Sequence, residues 1–547
     1  MQSLDVPLDL AAPAADEQST ADTRSRTRML TVIAASLTVA VGAVFRFWAR
    51  SPLWLDEALT VNISRAPLAD LTGLLAKDGA PPLSYALLHV WIGVFGTGDL
   101  AVRSLGGVLS LATLPVAWRA GKRIGGTRAA TAMLVLLASS PYAIHYATEA
   151  RMYSLVVLEV FLGFLALANL TGPTSADTSK PDTSKARSGR PIFAVGLAVA
   201  TGALLLTHYW ALFLLPFVAA GLAWRWWRSA AGSRARRANG LAIAALVGGG
   251  IAFLPWVPTF IVQLRHTGTP WAEPASFSAI VNAVGEFAGG RSTSGRALGL
   301  IFFALAGFGL FGAAIDNHRV EIDLRTRPRS RGVAIVTGGT LALAITVNLL
   351  TGGAFAARYA AVVFPTFLLL IVLGITALAG PRPRAAILTA AVVAGFISAT
   401  GNIVTDRTQQ GIVASRILAD LRPGDVIAYC PDQLGPATSR LLPASVRQVT
   451  FPHGTGPTFV DWTDYQDANR AADTAAFAAQ VVAQAAPTAT IWFVFGIGYR
   501  TLGSSCEAIK DQLTTLRPGA QQLVTSDDER FYEHSFLFRY PPTATSP

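Results

Sequence analysis

The sequence predicts a polytopic α-helical membrane protein of about eleven transmembrane helices that ends in an α/β domain. Hydrophobic residues make up 52% of the 547 residues and charged residues 14%, a balance that is unusual for a soluble protein. Apolar runs near the roughly 20 residues that cross a bilayer recur up to residue 403. Beyond that point the apolar runs shorten to strand length, which indicates a domain outside the membrane.

The distribution of basic residues predicts the orientation of these helices. The predicted helices cover residues 29–47, 101–118, 129–146, 153–170, 191–208, 210–224, 239–260, 297–314, 333–350, 359–379 and 385–403. Basic clusters follow every even-numbered helix, so these loops are cytoplasmic if the N-terminus is cytoplasmic. The clusters contain Arg119, Lys122, Arg123 and Arg128; Lys180, Lys185, Arg187 and Arg190; Arg225, Arg228, Arg234, Arg236 and Arg237; Arg319, Arg325, Arg327, Arg329 and Arg331; and Arg382 and Arg384. The net charge of +11 is spread among these loops, which argues against a nucleic-acid partner.

The sequence therefore divides into three parts. Residues 1–28 are polar and mixed in charge, and we expect a disordered cytoplasmic tail. Residues 29–403 form the transmembrane domain, whose first extracytoplasmic loop covers 48–100 and includes a short amphipathic helix in the membrane interface at 83–95. A second extracytoplasmic loop at 261–296, with Trp271, Glu273, Glu286 and Arg291, looks irregular.

Residues 404–547 form the predicted extracytoplasmic α/β domain. Its predicted strands are 426–430, 446–451, 490–495, 521–525 and 535–540, and helical segments are expected at 409–421, 466–486 and 506–516. The two cysteines of the chain, Cys430 and Cys506, both belong to this domain. A disulfide between them is plausible because oxidation is permitted outside the cytoplasm.

Candidate functional residues fall on the predicted extracytoplasmic side. Asp56 and Glu57 follow the first helix, where they are either solvated loop carboxylates or, beside Trp54, part of a packed site with a general base. Glu149, Arg151 and Tyr153 lie in the turn between the third and fourth helices. A local ion pair that caps the fourth helix would also explain their presence there.

Two arginines depart from the positive-inside trend. Arg103 opens the second helix and Arg358 opens the tenth, both on the outer side. A phosphate is a suitable partner because a guanidinium binds it in bidentate fashion, although snorkelling to the interface is an alternative. His208 and Tyr209 end the fifth helix on the same side, where an aromatic belt is the simpler interpretation.

Taken together, these motifs resemble the GT-C glycosyltransferases, in particular the protein O-mannosyltransferase and aminoarabinose-transferase branch (glycosyltransferase family 39/83 type). The matching segments cover about residues 30–210, and His208-Tyr209 and Arg358-Tyr359 extend the match more loosely. The segments are Leu55-Asp56-Glu57-Ala58, Asp78-Gly79-Ala80-Pro81-Pro82-Leu83-Ser84-Tyr85, Ala101-Val102-Arg103-Ser104-Leu105 and Glu149-Ala150-Arg151-Met152-Tyr153.

The resemblance implies a GT-C-like fold and an activity. A sugar, such as mannose or a pentose like arabinose, would move from a polyprenyl-phosphate donor to a cell-envelope glycan, lipid or protein at the outer face of a bacterial plasma membrane. Asp56 would be the catalytic carboxylate and Arg103 would hold the carrier phosphate. The full set of expected site residues comprises Asp56, Glu57 and Glu149 for catalysis; Arg103, Arg151, Arg358 and Tyr359 for the donor phosphate; and Asp78, Tyr153, His208 and Tyr209 for substrate.

The sequence departs from this pattern at one position. Many relatives carry His before the paired prolines, where this chain has Ala80. If that His ligates a divalent metal in them, this chain lacks that ligand; the sequence leaves a divalent metal open and predicts no other cofactor. A transporter or flippase of lipid-linked sugars is the main alternative. It would use the same arginines but should have inverted repeats or broken helices near the midplane.

Overall fold

The computed structural model describes residues 14–172, 190–268, 276–290, 292–316, 319–351, 355–499 and 501–542. Two sets of residues named above lie outside these ranges. They are Lys180, Lys185 and Arg187 of the second basic cluster, and Trp271, Glu273 and Arg291 of the second extracytoplasmic loop. Residues up to 404 are mainly helical, and a five-stranded sheet domain follows.

The helical part contains sixteen α-helices among the described residues. They are α1 Ala14–Phe45, α2 Leu55–Arg65, α3 Leu71–Asp78, α4 Leu83–Phe95, α5 Asp99–Ala138, α6 Pro141–Ala147, α7 Tyr153–Thr171, α8 Arg190–Thr207, α9 Ala211–Arg228, α10 Arg234–Ile251, α11 Val257–His266, α12 Phe277–Glu286, α13 Thr293–Phe311, α14 Pro328–Thr351, α15 Phe364–Ala377 and α16 Pro381–Val404. Short 3₁₀ turns occupy Leu254–Trp256 and Ala357–Val362. A small hairpin pairs β1 Gly312–Ala314 with β2 Val320–Ile322.

Seven stretches of helix in the described part are long and apolar enough to cross a membrane, and three shorter apolar helices accompany them. The chain is thus a multi-pass membrane protein, while the count of eleven spans stays a prediction. One stretch, α5, is 40 residues long and kinks at Gly125 and Gly126, whose backbone is not helical. Gly126 has a φ of +74°, a conformation that glycine adopts without a steric penalty.

The helical part is packed around α15, in which every residue except Thr376 is buried. Helix α13 approaches it closely because glycines line the contact. A Cβ atom at Gly374 would stand 1.8 Å from the Leu305 carbonyl oxygen, and one at Gly309 would stand 2.3 Å from that of Leu370. Small residues that allow two backbones to approach are the usual means of helix packing inside a bilayer.

The structure corrects several predicted boundaries. Helix α1 begins at Ala14, although a disordered tail was expected up to residue 28; residues 14–28 contain neither Gly nor Pro to stop the helix. The helix predicted at 129–146 is broken before Pro141, because a proline disfavours the helical conformation of the preceding residue. The loop predicted to be irregular contains the end of α11 and all of α12.

The C-terminal domain has five strands and five α-helices among the described residues. The strands are β3 Val426–Cys430, β4 Arg447–Thr450, β5 Ile491–Phe495, β6 Gln521–Val524 and β7 Phe536–Tyr540, in the order β4-β3-β5-β7-β6. The first three strands in that order are parallel, and β7 pairs antiparallel with both β5 and β6. The helices are α17 Gln410–Asp420, α18 Gly435–Ser439, α19 Tyr465–Ala471, α20 Thr474–Gln484 and α21 Ser505–Leu516.

The predicted strands match these five closely. The segment predicted as one helix at 466–486 is two, since the Asp473 side chain accepts from the Ala475 and Ala476 amides and starts α20. Cys430 at the end of β3 and Cys506 in α21 are joined by a disulfide, with an S–S length of 2.07 Å and a Cα–Cα distance of 5.5 Å.

Candidate active site

Helix α2 carries both acidic residues of the first loop. Asp56 and Glu57 lie in its first turn, where the partial positive charge of a helix N-terminus stabilises carboxylates. Successive side chains on an α-helix diverge by about 100° because each turn has 3.6 residues. The two carboxylates therefore face different surroundings: the Glu57 side chain is fully buried, whereas that of Asp56 is 21% exposed.

Glu57 belongs to a buried ion pair. Arg103 donates from Nε to Glu57 Oε1 at 2.8 Å and from Nη2 to Oε2 at 2.6 Å, and the Ala150 amide donates to Oε1 at 2.9 Å. Arg103 also donates from Nη1 to the Ser51 carbonyl oxygen at 2.6 Å. This geometry argues against the roles expected for these two residues, because each charge is neutralised by the other.

Glu149 is held in the same interior. Its Oε1 lies 3.2 Å from His145 Nε2 and 3.7 Å from Arg407 Nη1. Arg407 in turn donates to the Thr148 carbonyl oxygen at 2.9 Å, and its own amide donates to Ser51 Oγ at 2.9 Å. We call Glu57, Arg103, Glu149 and Arg407 the buried network. A catalytic role for Glu149 does not fit this enclosure.

Asp56 lies instead in an open cluster with two arginines. Its Oδ2 is 3.8 Å from Arg151 Nη2 and 3.8 Å from Arg358 Nη1. Arg151 also donates from Nη1 to Thr60 Oγ1 at 2.9 Å. Burial is the largest single influence on the pKa of each arginine and lowers it, but the charge of Asp56 and the influence of nearby tyrosines together outweigh burial and hold both pKa values well above the usual range. We call Asp56, Arg151 and Arg358 the open cluster.

Aromatic residues border the open cluster. The Arg358 guanidinium carbon lies 5.5 Å from the centroid of the Tyr359 ring and 5.9 Å from that of Trp54. His208 is buried between Tyr359, at 6.2 Å between ring centroids, and Tyr153, at 6.0 Å. The structure therefore brings Tyr153, His208 and Tyr359 together beside the open cluster.

Asp78 reaches the same region from the end of α3. The Tyr85 hydroxyl donates to Asp78 Oδ2 at 2.6 Å. Burial raises the pKa of Asp78, while the Arg151 charge and the Tyr85 hydrogen bond oppose that increase and the Asp56 charge adds to it. Asp78 thus lies within the electrostatic influence of the open cluster, and its substrate-binding role stays a prediction.

Tyr209 is tied to a structural contact. Its hydroxyl donates to Gln263 Oε1 and accepts from Trp256 Nε1 at 2.8 Å. Gln263 donates in turn to the carbonyl oxygens of Leu75 at 2.7 Å and Ala80 at 3.1 Å. The Tyr209 hydroxyl therefore fixes the segment around Asp78, which does not favour direct substrate contact.

The sequence missed three residues at this site. Thr60 lies one helical turn after Asp56, a spacing that could have suggested it. Arg407 and Tyr532 come from the C-terminal part of the chain, and no local pattern links them to the first loop. Tyr532 reaches the site through its ring, whose centroid lies 5.2 Å from that of Trp54. Among the residues that the structure describes, no group of three or more His, Cys, Asp or Glu side chains could hold a metal ion.

Comparison with solved structures identifies proteins that share this fold. No protein-family model and no curated protein matches the chain. The crystal structure of ArnT from Cupriavidus metallidurans bound to undecaprenyl phosphate is similar over 96% of this chain and 99% of that chain, with a TM-score of 0.52 and 16% identity. Its apo state is similar over 96% and 100%, with a TM-score of 0.50 and 15% identity. The chain has the GT-C fold predicted from its sequence, with a C-terminal sheet domain.

Proposed function

We propose that this protein is a membrane glycosyltransferase that moves a sugar from a polyprenyl-phosphate donor to a hydroxyl of a cell-envelope acceptor. One observation carries the proposal: the carboxylate of Asp56 lies 3.8 Å from each of two guanidinium groups in a partly open site. Carboxylate and guanidinium are the groups needed for a general base and for a phosphate leaving group. The fold shared with ArnT, which was crystallised with undecaprenyl phosphate, supports a lipid-phosphate carrier.

In the proposed reaction Asp56 accepts the proton of the acceptor hydroxyl. The acceptor oxygen forms a bond to the anomeric carbon of the donor sugar as the bond from that carbon to the phosphate oxygen breaks. The electron pair of the broken bond leaves with the lipid phosphate, whose charge is neutralised by Arg151 and Arg358. These two arginines replace Arg103 in the role that the resemblance implied.

The test is sugar transfer by purified protein in lipid nanodiscs, with a panel of polyprenyl-phosphate mannose and pentose donors. We expect the release of free polyprenyl phosphate with one donor class. Arg358→Ala should weaken donor binding by about 1.5–3 kcal/mol, because it removes a charge-assisted contact to phosphate. Arg65→Ala, which removes an exposed arginine of α2, is the matched control. No transfer with any donor, or equal donor affinity in both variants, would contradict the proposal.

We also propose that the site and the C-terminal domain face the outside of a bacterial plasma membrane. The proposal rests on the basic loops described above. Reporter fusions after residues 125, 232 and 328 should report the cytoplasm, and a fusion after residue 410 the opposite side. A cytoplasmic signal at 410 would reverse the assignment.

A further inference from the structure

Tyr532 is an exposed aromatic residue of the C-terminal domain that stands between two buried residues. It lies between β6 and β7 and is 68% exposed, whereas its neighbours Phe531 and Glu533 are only 4% and 6% exposed. Its ring therefore contributes little to the core of its own domain. An exposed aromatic side chain between buried neighbours is a common means of ligand recognition.

The backbone next to Tyr532 is hydrogen-bonded to the segment between α16 and α17, which links the two parts of the chain. The Glu533 amide donates to the Arg407 carbonyl oxygen at 2.9 Å, and the Gln409 amide donates to the Glu533 carbonyl oxygen at 2.8 Å. Arg407 is a member of the buried network and donates to Thr148. Tyr532 is consequently held at a defined position relative to α2, although it belongs to another domain.

That position is beside the open cluster. The Tyr532 ring meets the ring of Trp54 edge-on, with 5.2 Å between centroids, and Trp54 directly precedes α2. Burial raises the pKa of the Tyr532 phenol, the Arg358 guanidinium lowers it and the Asp56 carboxylate raises it. The influence of both charges on the phenol means that the Tyr532 hydroxyl lies close to the open cluster.

We propose that Tyr532 is a substrate-contacting residue on which the apolar C–H face of a sugar ring packs next to Asp56; this inference rests on the proposed function. Sugar rings have polar edges and faces of C–H groups, and an aromatic ring offers such a face apolar area with little loss of conformational entropy. The donor and the acceptor can both supply this chemistry. The C-terminal domain would then complete the active site by supplying one of its walls.

The experiment compares Tyr532→Ala and Tyr532→Phe with the wild-type protein in the transfer assay. Leu516→Ala, which shortens an exposed apolar side chain of the same domain, is the matched control. For Tyr532→Ala we expect the KM of one substrate to rise about 3- to 10-fold, the usual worth of an aromatic contact. Tyr532→Phe keeps the ring and should retain the wild-type KM, and the melting temperatures of all variants should agree.

The outcomes separate this inference from the proposed function. A higher KM for the polyprenyl-phosphate sugar assigns the ring to the donor, and a higher KM for the acceptor assigns it to the acceptor. Unchanged KM values in an active Tyr532→Ala protein overturn the inference and leave the proposed function intact. A lower melting temperature with unchanged KM values means that Tyr532 only packs on Trp54. An inactive wild-type protein removes the proposed function, and this inference with it.

Discussion

The buried network and the open cluster contain the same kinds of side chain but differ in how these are paired. In the buried network, Glu57 accepts two hydrogen bonds from Arg103 at 2.8 and 2.6 Å, and almost none of either side chain is exposed. In the open cluster, Asp56 stands 3.8 Å from its two arginines, and all three side chains are 13–21% exposed. The first arrangement is closed to a ligand, and the second can exchange its internal contacts for contacts with substrate.

This difference shows how adjacent residues acquire separate roles. Asp56 and Glu57 are neighbours on α2, yet one faces the site and the other faces the protein interior. A buried charge pair with complete hydrogen bonding is costly to disrupt, which makes it suited to fixing a backbone. We therefore propose that the buried network positions α2, and that the open cluster performs the chemistry.

The largest effect should come from Asp56→Asn. The substitution preserves size but removes the basic oxygen, so transfer should fall by roughly 10² to 10⁴, the usual contribution of general-base catalysis. Donor affinity should change little because Arg151 and Arg358 remain. Transfer rate and donor affinity are measured in parallel, with Asp70→Asn, an exposed carboxylate before α3, as the control. Full transfer activity in Asp56→Asn would exclude Asp56 as the base. A flippase performs no proton transfer, so its transport should also survive this substitution.

The second effect concerns stability. Arg103→Ala leaves the Glu57 carboxylate buried without its main partner, which should cost about 3–5 kcal/mol of unfolding free energy. Arg65→Ala, which removes an exposed arginine from the last turn of α2, should cost less than about 0.5 kcal/mol. Thermal unfolding of both variants in nanodiscs measures the difference. If Arg103→Ala weakened donor binding without loss of stability, the role implied by the resemblance would be restored.

The sequence predicted the fold well because each part of the chain has a clear hydrophobic pattern, with long apolar runs in the membrane helices and short ones in the strands. Apolar runs located the helices, and the five strands of the C-terminal domain were found within about one residue. Errors arose where a local residue overrode the pattern, as at Pro141, which ends the predicted helix. The helices α2 and α3 inside the first loop are short, and their apolar periodicity was too brief to be recognised.

The site was predicted less completely, for a physical reason. Topology placed Asp56, Arg151 and Arg358 on one side of the membrane, and the structure brings them together. The same reasoning could not assign different roles to Arg358 and Arg103, because both were predicted to begin a helix at the same membrane surface. Their difference depends on tertiary pairing with Glu57, which no sequence pattern encodes.

A smaller effect should follow from Glu533, whose carboxyl is buried. Burial raises the pKa of this carboxyl from 4.5 to about 8, and nearby Asp56 contributes to the increase. Between these two values the folded protein keeps a proton that the unfolded chain releases, so stability falls as pH rises. Glu533→Gln has no such proton. Its melting temperature should therefore exceed that of the wild type by about 2–4 °C at pH 8 and by less at pH 5.

The matched control for this measurement is Glu529→Gln, an exposed carboxylate of the same loop. Its melting temperature should follow that of the wild type at both values of pH. An equal gain for Glu533→Gln at pH 5 and pH 8 would mean that the carboxyl does not titrate in this range. The charge state at position 533 would then have no effect on the stability of the protein between these pH values.

The smallest effect should come from Tyr209→Phe, which tests whether Tyr209 belongs with the positioning residues. The substitution leaves Gln263 Oε1 and Trp256 Nε1 without the hydroxyl that joins them, at a cost of about 1 kcal/mol. Since Gln263 holds the carbonyl oxygens of Leu75 and Ala80, the loss should loosen the end of α3 without removing a substrate contact. We expect a slightly lower melting temperature and KM values within about twofold of the wild type. A rise in KM well beyond that, at unchanged stability, would show that Tyr209 binds substrate, as expected from the sequence.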